Sequence, residues 1–186
     1  IQELAPNAIL AYISVSIPAF FGVLLLSDKI LGLIFGQIYR ESSLVLSVLM
    51  FSKVIESVDR VLKNFLEGIN LPDLRMRAVL VSIFLNIVLN FIFVYYFGLA
   101  GAALATTIAF TSSTIITIYY LNNVLTLHFP GSEVGWCVIS STIMYLILYS
   151  IKNVVDVNSV FQLSLIIIFG ILLYSLSILI HPSILS

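Results

Sequence analysis

The chain has 186 residues, 61% of them apolar and only 9% charged, with a formal net charge of −1; its mean hydropathy is +1.17. So few charges leave too little polar surface to clothe a water-soluble globule, which points to a helical membrane protein. Without an excess of Lys and Arg there is no basic surface for phosphates, so no nucleic acid partner is expected.

Residues 8–26 carry no charge and form the first expected span, helix A, kinked where Pro18 removes a backbone hydrogen bond. Residues 29–35, closed by Gly36, are too short to span and read as an interfacial or re-entrant turn. Helix B is expected over 42–67, with Glu41 and Ser42 as start signals and Gly68 as its stop. Asn70 and Pro72 mark a turn, and Arg75 and Arg77 stand at the mouth of helix C, 78–97. Helix D, 100–121, is separated from C only by Gly98 and Leu99, which demands a tight antiparallel hairpin. A turn region from 122 to 133, holding Pro130 and Gly131, leads to helix E, 134–151. A loop with Lys152, Asn153, Asp156 and Asn158 leads to helix F, 160–180, and a short tail includes Pro182. The expected fold class is all-α, a polytopic membrane helix bundle of about six transmembrane helices, with four in residues 1–121 and two in 122–186. Arg75 and Arg77 favour a cytoplasmic B to C loop, but Lys29, Arg40 and Lys152 fall on the other side, so the positive-inside count is nearly tied.

Cys137 is the only cysteine, so no intrachain disulfide can form. His128 and His181 lack acidic or thiol neighbours at ligand spacing, so neither a metal nor a cofactor is expected. The chain opens at Ile1 with no basic n-region, which reads as an excised piece of a longer protein rather than a signal peptide.

Helix B is the informative segment. Lys53, Glu56, Asp59, Arg60, Lys63 and Glu67 fall too close to its start for all of them to lie outside the membrane. At roughly 100° per residue they occupy an arc of about 120°, opposite Phe51, Val54, Ile55, Val58, Val61, Leu62 and Phe65. A charge at mid-membrane costs about 2.5–3.5 kcal/mol, so the charged face should look into protein or a water-filled cavity. The stripe can satisfy itself through Glu56–Arg60, Asp59–Lys63 and Lys63–Glu67 at i,i+4. It can also line a substrate pathway in which Lys53, Arg60 and Lys63 offer cations to phosphate, with Glu56 and Asp59 holding them in place. Asn86 and Asn90 share one face of helix C, where an amide can bond a neighbouring helix or a sugar hydroxyl; helix glue is the preferred role. The many hydroxyls of helix D are expected to bond their own backbone, and the small residues at its start permit close helix approach. Trp136, Tyr145 and Tyr149 read as interface anchors or packing residues. No HExxH, Walker A or GxSxG motif occurs, so transport rather than enzymatic catalysis is expected.

Several pieces, in order, resemble a known family. They are the run Ser27-Asp28-Lys29-Ile30-Leu31-Gly32-Leu33-Ile34-Phe35-Gly36 followed by Tyr39, then Asn64-Phe65-Leu66-Glu67-Gly68, then Asn86, and then Phe97-Gly98-Leu99-Ala100-Gly101-Ala102-Ala103-Leu104-Ala105-Thr106. This ordered set resembles the polysaccharide-biosynthesis flippases of the multidrug/oligosaccharidyl-lipid/polysaccharide exporter superfamily. The resemblance implies the C-terminal portion of a two-lobed transporter of the cytoplasmic membrane, which rocks to flip a polyprenyl-(pyro)phosphate-linked glycan. The implied partners are that lipid-linked glycan, membrane lipid, the N-terminal lobe of the parent protein and a candidate coupling cation. It also places the B to C loop in the cytoplasm. Two other readings stand beside it. One is a cation-coupled drug exporter of the same superfamily, using Glu56 and Asp59, whose signature is an unpaired buried carboxylate. The other is a membrane structural or assembly subunit that docks a partner helix on the stripe.

Overall fold

The structure, a computed structural model, describes residues 4–124, 130–155 and 157–179. His128, Asp156, Ile180, His181 and Pro182 lie outside the described residues, as do residues 125–129 of the expected turn region 122–133. The chain folds as α-helices throughout its described length: α1 (Leu4–Ile30), α2 (Ser43–Gly68), α3 (Pro72–Asn122), α4 (Gly131–Val154) and α5 (Val160–Leu179).

Helix A is longer than expected. α1 runs on through Pro18 and continues directly into a turn of π-helix, Leu31–Phe35, so residues 29–35 extend the helix instead of forming a separate re-entrant turn. The reversal comes at Gly36, whose φ of 110° and ψ of 159° suit only glycine, and a 3-10 turn, Gln37–Ser42, then leads into α2.

α2 ends in a Schellman arrangement built on Asn70, not on Gly68 itself. Asn70 takes a left-handed φ of 62°. Its N–H donates to Glu67 O at 3.0 Å, and the Leu71 N–H reaches back to Leu66 O at 2.9 Å. Pro72 then opens α3 at its first turn, where a missing N–H costs nothing, and Asp73 complements the helix N-terminus. The helix thus begins six residues before the expected start of helix C at 78, and Arg75 and Arg77 lie within it.

A straight α3 would be about 76 Å long, far more than a bilayer's thickness. Gly98, with φ 58° and ψ −137°, breaks it into arms 72–97 and 99–122. The arms lie antiparallel: Asn86 bonds Thr106, and Ser113 Oγ donates to Ala78 O at 3.5 Å. Gly101 permits the close return, because a Cβ there would collide with the Phe93 carbonyl. This is the hairpin expected of helices C and D.

By length and composition α1 with its extension, α3, α4 and α5 are membrane-crossing helices, and α3 does so with two arms. The chain is an integral, multi-pass membrane protein. α2 is the helix whose charges set it apart.

Two compact units can be described. The first comprises residues 1–13 and 48–130, and the second 14–47 and 131–186. Within the first, Ile9, Ile13, Val61, Leu62 and Leu66 are buried with the small residues Ala103, Ala105 and Ala109 of the second α3 arm. Small side chains let helix backbones approach closely where lipid offers no hydrophobic drive for packing. Within the second, Leu26, Met144, Leu148, Val157, Leu163 and Tyr174 form the core. Gly170 sits there against Leu148, with only 2.9 Å between a Cβ placed on it and Leu148 Cδ1.

Candidate functional site: the charged face of α2

The stripe on α2 divides in two. Asp59 and Lys63 form an ion pair of 2.7 Å in which the carboxylate is 3% and the ammonium 11% exposed. Asp59 stands at the edge of the charged arc, close to the angle of Ser52 and Leu66, which are also buried. Its Oδ2 takes the lysine, and its buried Oδ1 has no hydrogen-bond partner among the described residues.

The other edge is open. Glu56 Oε2 accepts Lys53 Nζ at 2.6 Å and Oε1 accepts Arg60 Nη2 at 2.8 Å. Both cations are about 60% exposed, at 60% for Lys53 and 62% for Arg60. Two cations share one carboxylate, so this triad carries a surplus positive charge, whereas Asp59–Lys63 is closed and neutral. Glu56–Arg60 and Asp59–Lys63 thus pair as expected, but Lys63 and Glu67 do not. Lys63 is engaged by Asp59, and Glu67 instead pairs with Arg75 across the turn into α3.

Asn86 and Asn90 are half-buried in the α3 hairpin. Asn86 Nδ2 donates to Thr106 Oγ1 at 3.3 Å, and Asn90 Nδ2 donates at 2.9 Å to both Asn86 O and Asn86 Oδ1. Asn86 thus bridges the two arms of the hairpin, while Asn90 bonds back to Asn86 within its own arm. Thr106, Thr107, Thr111, Thr114 and Thr117 each donate to the carbonyl four residues back, as expected of hydroxyls without a ligand. The Trp136 indole N–H donates to Ser177 O at 3.3 Å, so its polar atom serves packing of α4 on α5.

Two features of the second unit were not foreseen. Asp28 at the end of α1 accepts Lys152 Nζ at 2.9 Å and Arg40 Nη2 at 3.4 Å, while Lys152 also donates to Leu25 O at 2.7 Å. Asp28 and Lys152 are 124 positions apart, so no local spacing rule links them. The second is an apolar groove of about 580 Å³, lined by Pro18, Gly22 and Leu26 of α1, Leu148 of α4, and Gly170 and Ile171 of α5. Open space stands above Gly22, which has no heavy atom within 4 Å of a Cβ placed on it.

The MatE family model matches residues 1–92. Over 184 residues the chain is 38% identical to the probable low-salt glycan biosynthesis flippase Agl15 of Haloferax volcanii, covering 99% of this chain and 39% of that protein. It is 27% identical over 167 residues to the probable flippase AglR of the same organism, covering 88% of this chain and 35% of that protein. The chain therefore spans less than two fifths of the length of these relatives. Among solved structures it shares the fold of the lipid II flippase MurJ in an inward closed conformation. The TM-score is 0.80 at 21% identity, over 93% of this chain and 37% of that one. The MatE family model thus matches the first half of the chain, and along nearly its whole length the chain is similar to a protein named as a probable glycan biosynthesis flippase, in line with the resemblance carried by its ordered motifs.

Proposed function

We propose that this chain is the C-terminal portion of a two-lobed transporter that flips a polyprenyl-(pyro)phosphate-linked oligosaccharide across the cytoplasmic membrane for glycan biosynthesis. The observation that carries the reading is the exposed Lys53–Glu56–Arg60 triad on a helix among membrane-crossing neighbours. Exposed charge at such a position needs a polar counterpart. The surplus cation of the triad suits a phosphate, for which Arg60 offers a planar fork of donors and Lys53 a point charge. Glu56 holds both side chains in place between substrates. Asp59–Lys63 then stays closed as a structural pair, and Asn86 and Asn90 join the α3 arms. An N-terminal lobe of the parent protein completes the pathway, and rocking of the lobes exposes it to one side at a time. The relatives are named as flippases, which are transporters rather than enzymes.

A second reading, a cation-coupled exporter, is favoured by one observation: Asp59 Oδ1 is buried without a hydrogen-bond partner among the described residues. Its other oxygen is already held by Lys63, which leaves the site neutral and ranks this reading second. Transport of a fluorescent polyprenyl-pyrophosphate sugar by the full-length protein in liposomes tests the choice. The flippase reading expects transport that falls with Arg60→Ala. Transport of an amphipathic cation alone, dependent on an ion gradient and on Asp59, would overturn it.

A further inference from the structure

The α3 hairpin carries no Asp, Glu, Lys or Arg from residue 78 to its end at Asn122. Its first arm begins with Arg75 and Arg77, and Tyr95 follows Arg77 after about 27 Å of helix, close to the roughly 30 Å of a bilayer's hydrocarbon core. Tyr95 is 83% and Tyr96 71% exposed, just before the reversal at Gly98. The second arm carries Tyr119 and Tyr120 about 30 Å beyond Leu99. The pairing of Asn86 with Thr106 and of Ser113 with Ala78 fixes the register, so Tyr119 and Tyr120 return to the level of Pro72 and Asp73 at the start of the first arm. The tyrosines of each pair touch one another, with ring centroids 5.2 Å apart for Tyr95–Tyr96 and 6.0 Å for Tyr119–Tyr120. Between the two levels the exposed side chains are hydrocarbon, as at Phe84, Ile87, Phe91 and Ile115.

We propose that this hairpin faces bilayer lipid, with Tyr95 and Tyr96 in one lipid–water interface and Tyr119 and Tyr120 in the other. A tyrosine has an apolar body and a polar tip, which suits the boundary between acyl chains and the ester and phosphate groups. The tip of the hairpin has no charged residue to hold it at the surface, and its tyrosine hydroxyls bond headgroup oxygens instead. Asn86, nine positions from both Arg77 and Tyr95, then lies at the bilayer midplane. An amide without a partner is most costly there, and the Asn90–Asn86–Thr106 chain of bonds meets that need.

The test uses the full-length protein in phosphatidylcholine–phosphatidylglycerol liposomes, with native cysteines replaced and a single spin label introduced by Ile87→Cys, Tyr95→Cys or Tyr119→Cys. All three positions are exposed, and Tyr96→Cys gives a second reading at the tip. Accessibility to a water-soluble nickel chelate should be several-fold higher at 95, 96 and 119 than at 87, with oxygen accessibility highest at 87. Residues 95 and 119 should react with a membrane-impermeant thiol reagent from opposite sides. A label at 95 that is oxygen-rich and nickel-poor would overturn the register. Low accessibility to both reagents at 87 and 95 would mean that another part of the protein covers the hairpin, and reaction of 95 and 119 from the same side would refute the crossing.

Discussion

Asp59 and Lys63 form a buried ion pair of 2.7 Å on the same helix as the open cations Lys53 and Arg60, so one charged stripe carries a sealed pair beside an available one. Removing one partner of a buried pair leaves an uncompensated charge, a loss of about 3–5 kcal/mol. Asp59→Ala and Lys63→Ala should each lower the unfolding temperature of the full-length protein in detergent. The double change Asp59→Leu with Lys63→Met should be milder than either. Additive losses would show that the two side chains are not coupled.

Glu56 is the carboxylate shared by Lys53 and Arg60, and it shapes how firmly they hold a phosphate. Glu56→Gln raises the surplus positive charge of the triad by one. Substrate should then bind more tightly and leave more slowly, lowering both KM and kcat for flipping in liposomes. A rise in KM would mean that Glu56 serves by orienting the cations and not by competing for them.

Glycine substitutions should sort by surroundings. Gly98→Ala meets a left-handed φ of 58° and should cost about 1–2 kcal/mol. Gly101→Ala meets the Phe93 backbone and should cost about 1–3 kcal/mol, the range of an overpacked contact. Gly22→Ala and Gly135→Ala, with nothing among the described residues within 4 Å of their Cβ positions, should be neutral or stabilising, since alanine is the better helix former. Thermal unfolding of the four variants checks the order.

Lys152 ties α4 to the end of α1 through Asp28 and the Leu25 carbonyl. Lys152→Ala should destabilise by about 1–3 kcal/mol, in the range for hydrogen bonds to charged groups. Arg40→Ala should have a smaller effect, because its contact with Asp28 is 3.4 Å and its side chain is 52% exposed. A double-mutant cycle between Asp28 and Lys152 separates their coupling from general loss of charge.

Periodicity and glycine placement made most of the helices legible in the sequence. The apolar runs located α1, α4 and α5, and Gly98–Leu99 announced the α3 hairpin because two spans joined by so little chain can only fold back. The helix ends were less legible. Residues 29–35 looked like a separate turn because hydropathy does not show where a helix stops, and Arg75 and Arg77 looked like residues at the mouth of helix C, before its start, because charge marks an interface and not a helix start. The stripe was visible, but its pairing was not. Spacing offered Lys63 two acids, Asp59 and Glu67, and the choice depended on Arg75 arriving from α3 to take Glu67. The Asp28–Lys152 contact and the groove beside Gly22 arise only when distant helices pack, so no window of sequence contains them.

The central claim is that the open half of the α2 stripe handles a phosphate while the buried half holds structure. The measurement closest to it is flipping of a fluorescent polyprenyl-pyrophosphate sugar by the full-length protein in liposomes, comparing Lys53→Ala/Arg60→Ala with Asp59→Leu/Lys63→Met at equal amounts of folded protein. The account expects a loss of at least tenfold in the first variant, or about 1.4 kcal/mol of transition-state stabilisation, with near-normal flipping in the second. Normal flipping without Lys53 and Arg60, or its loss only when the buried pair is removed, would contradict it.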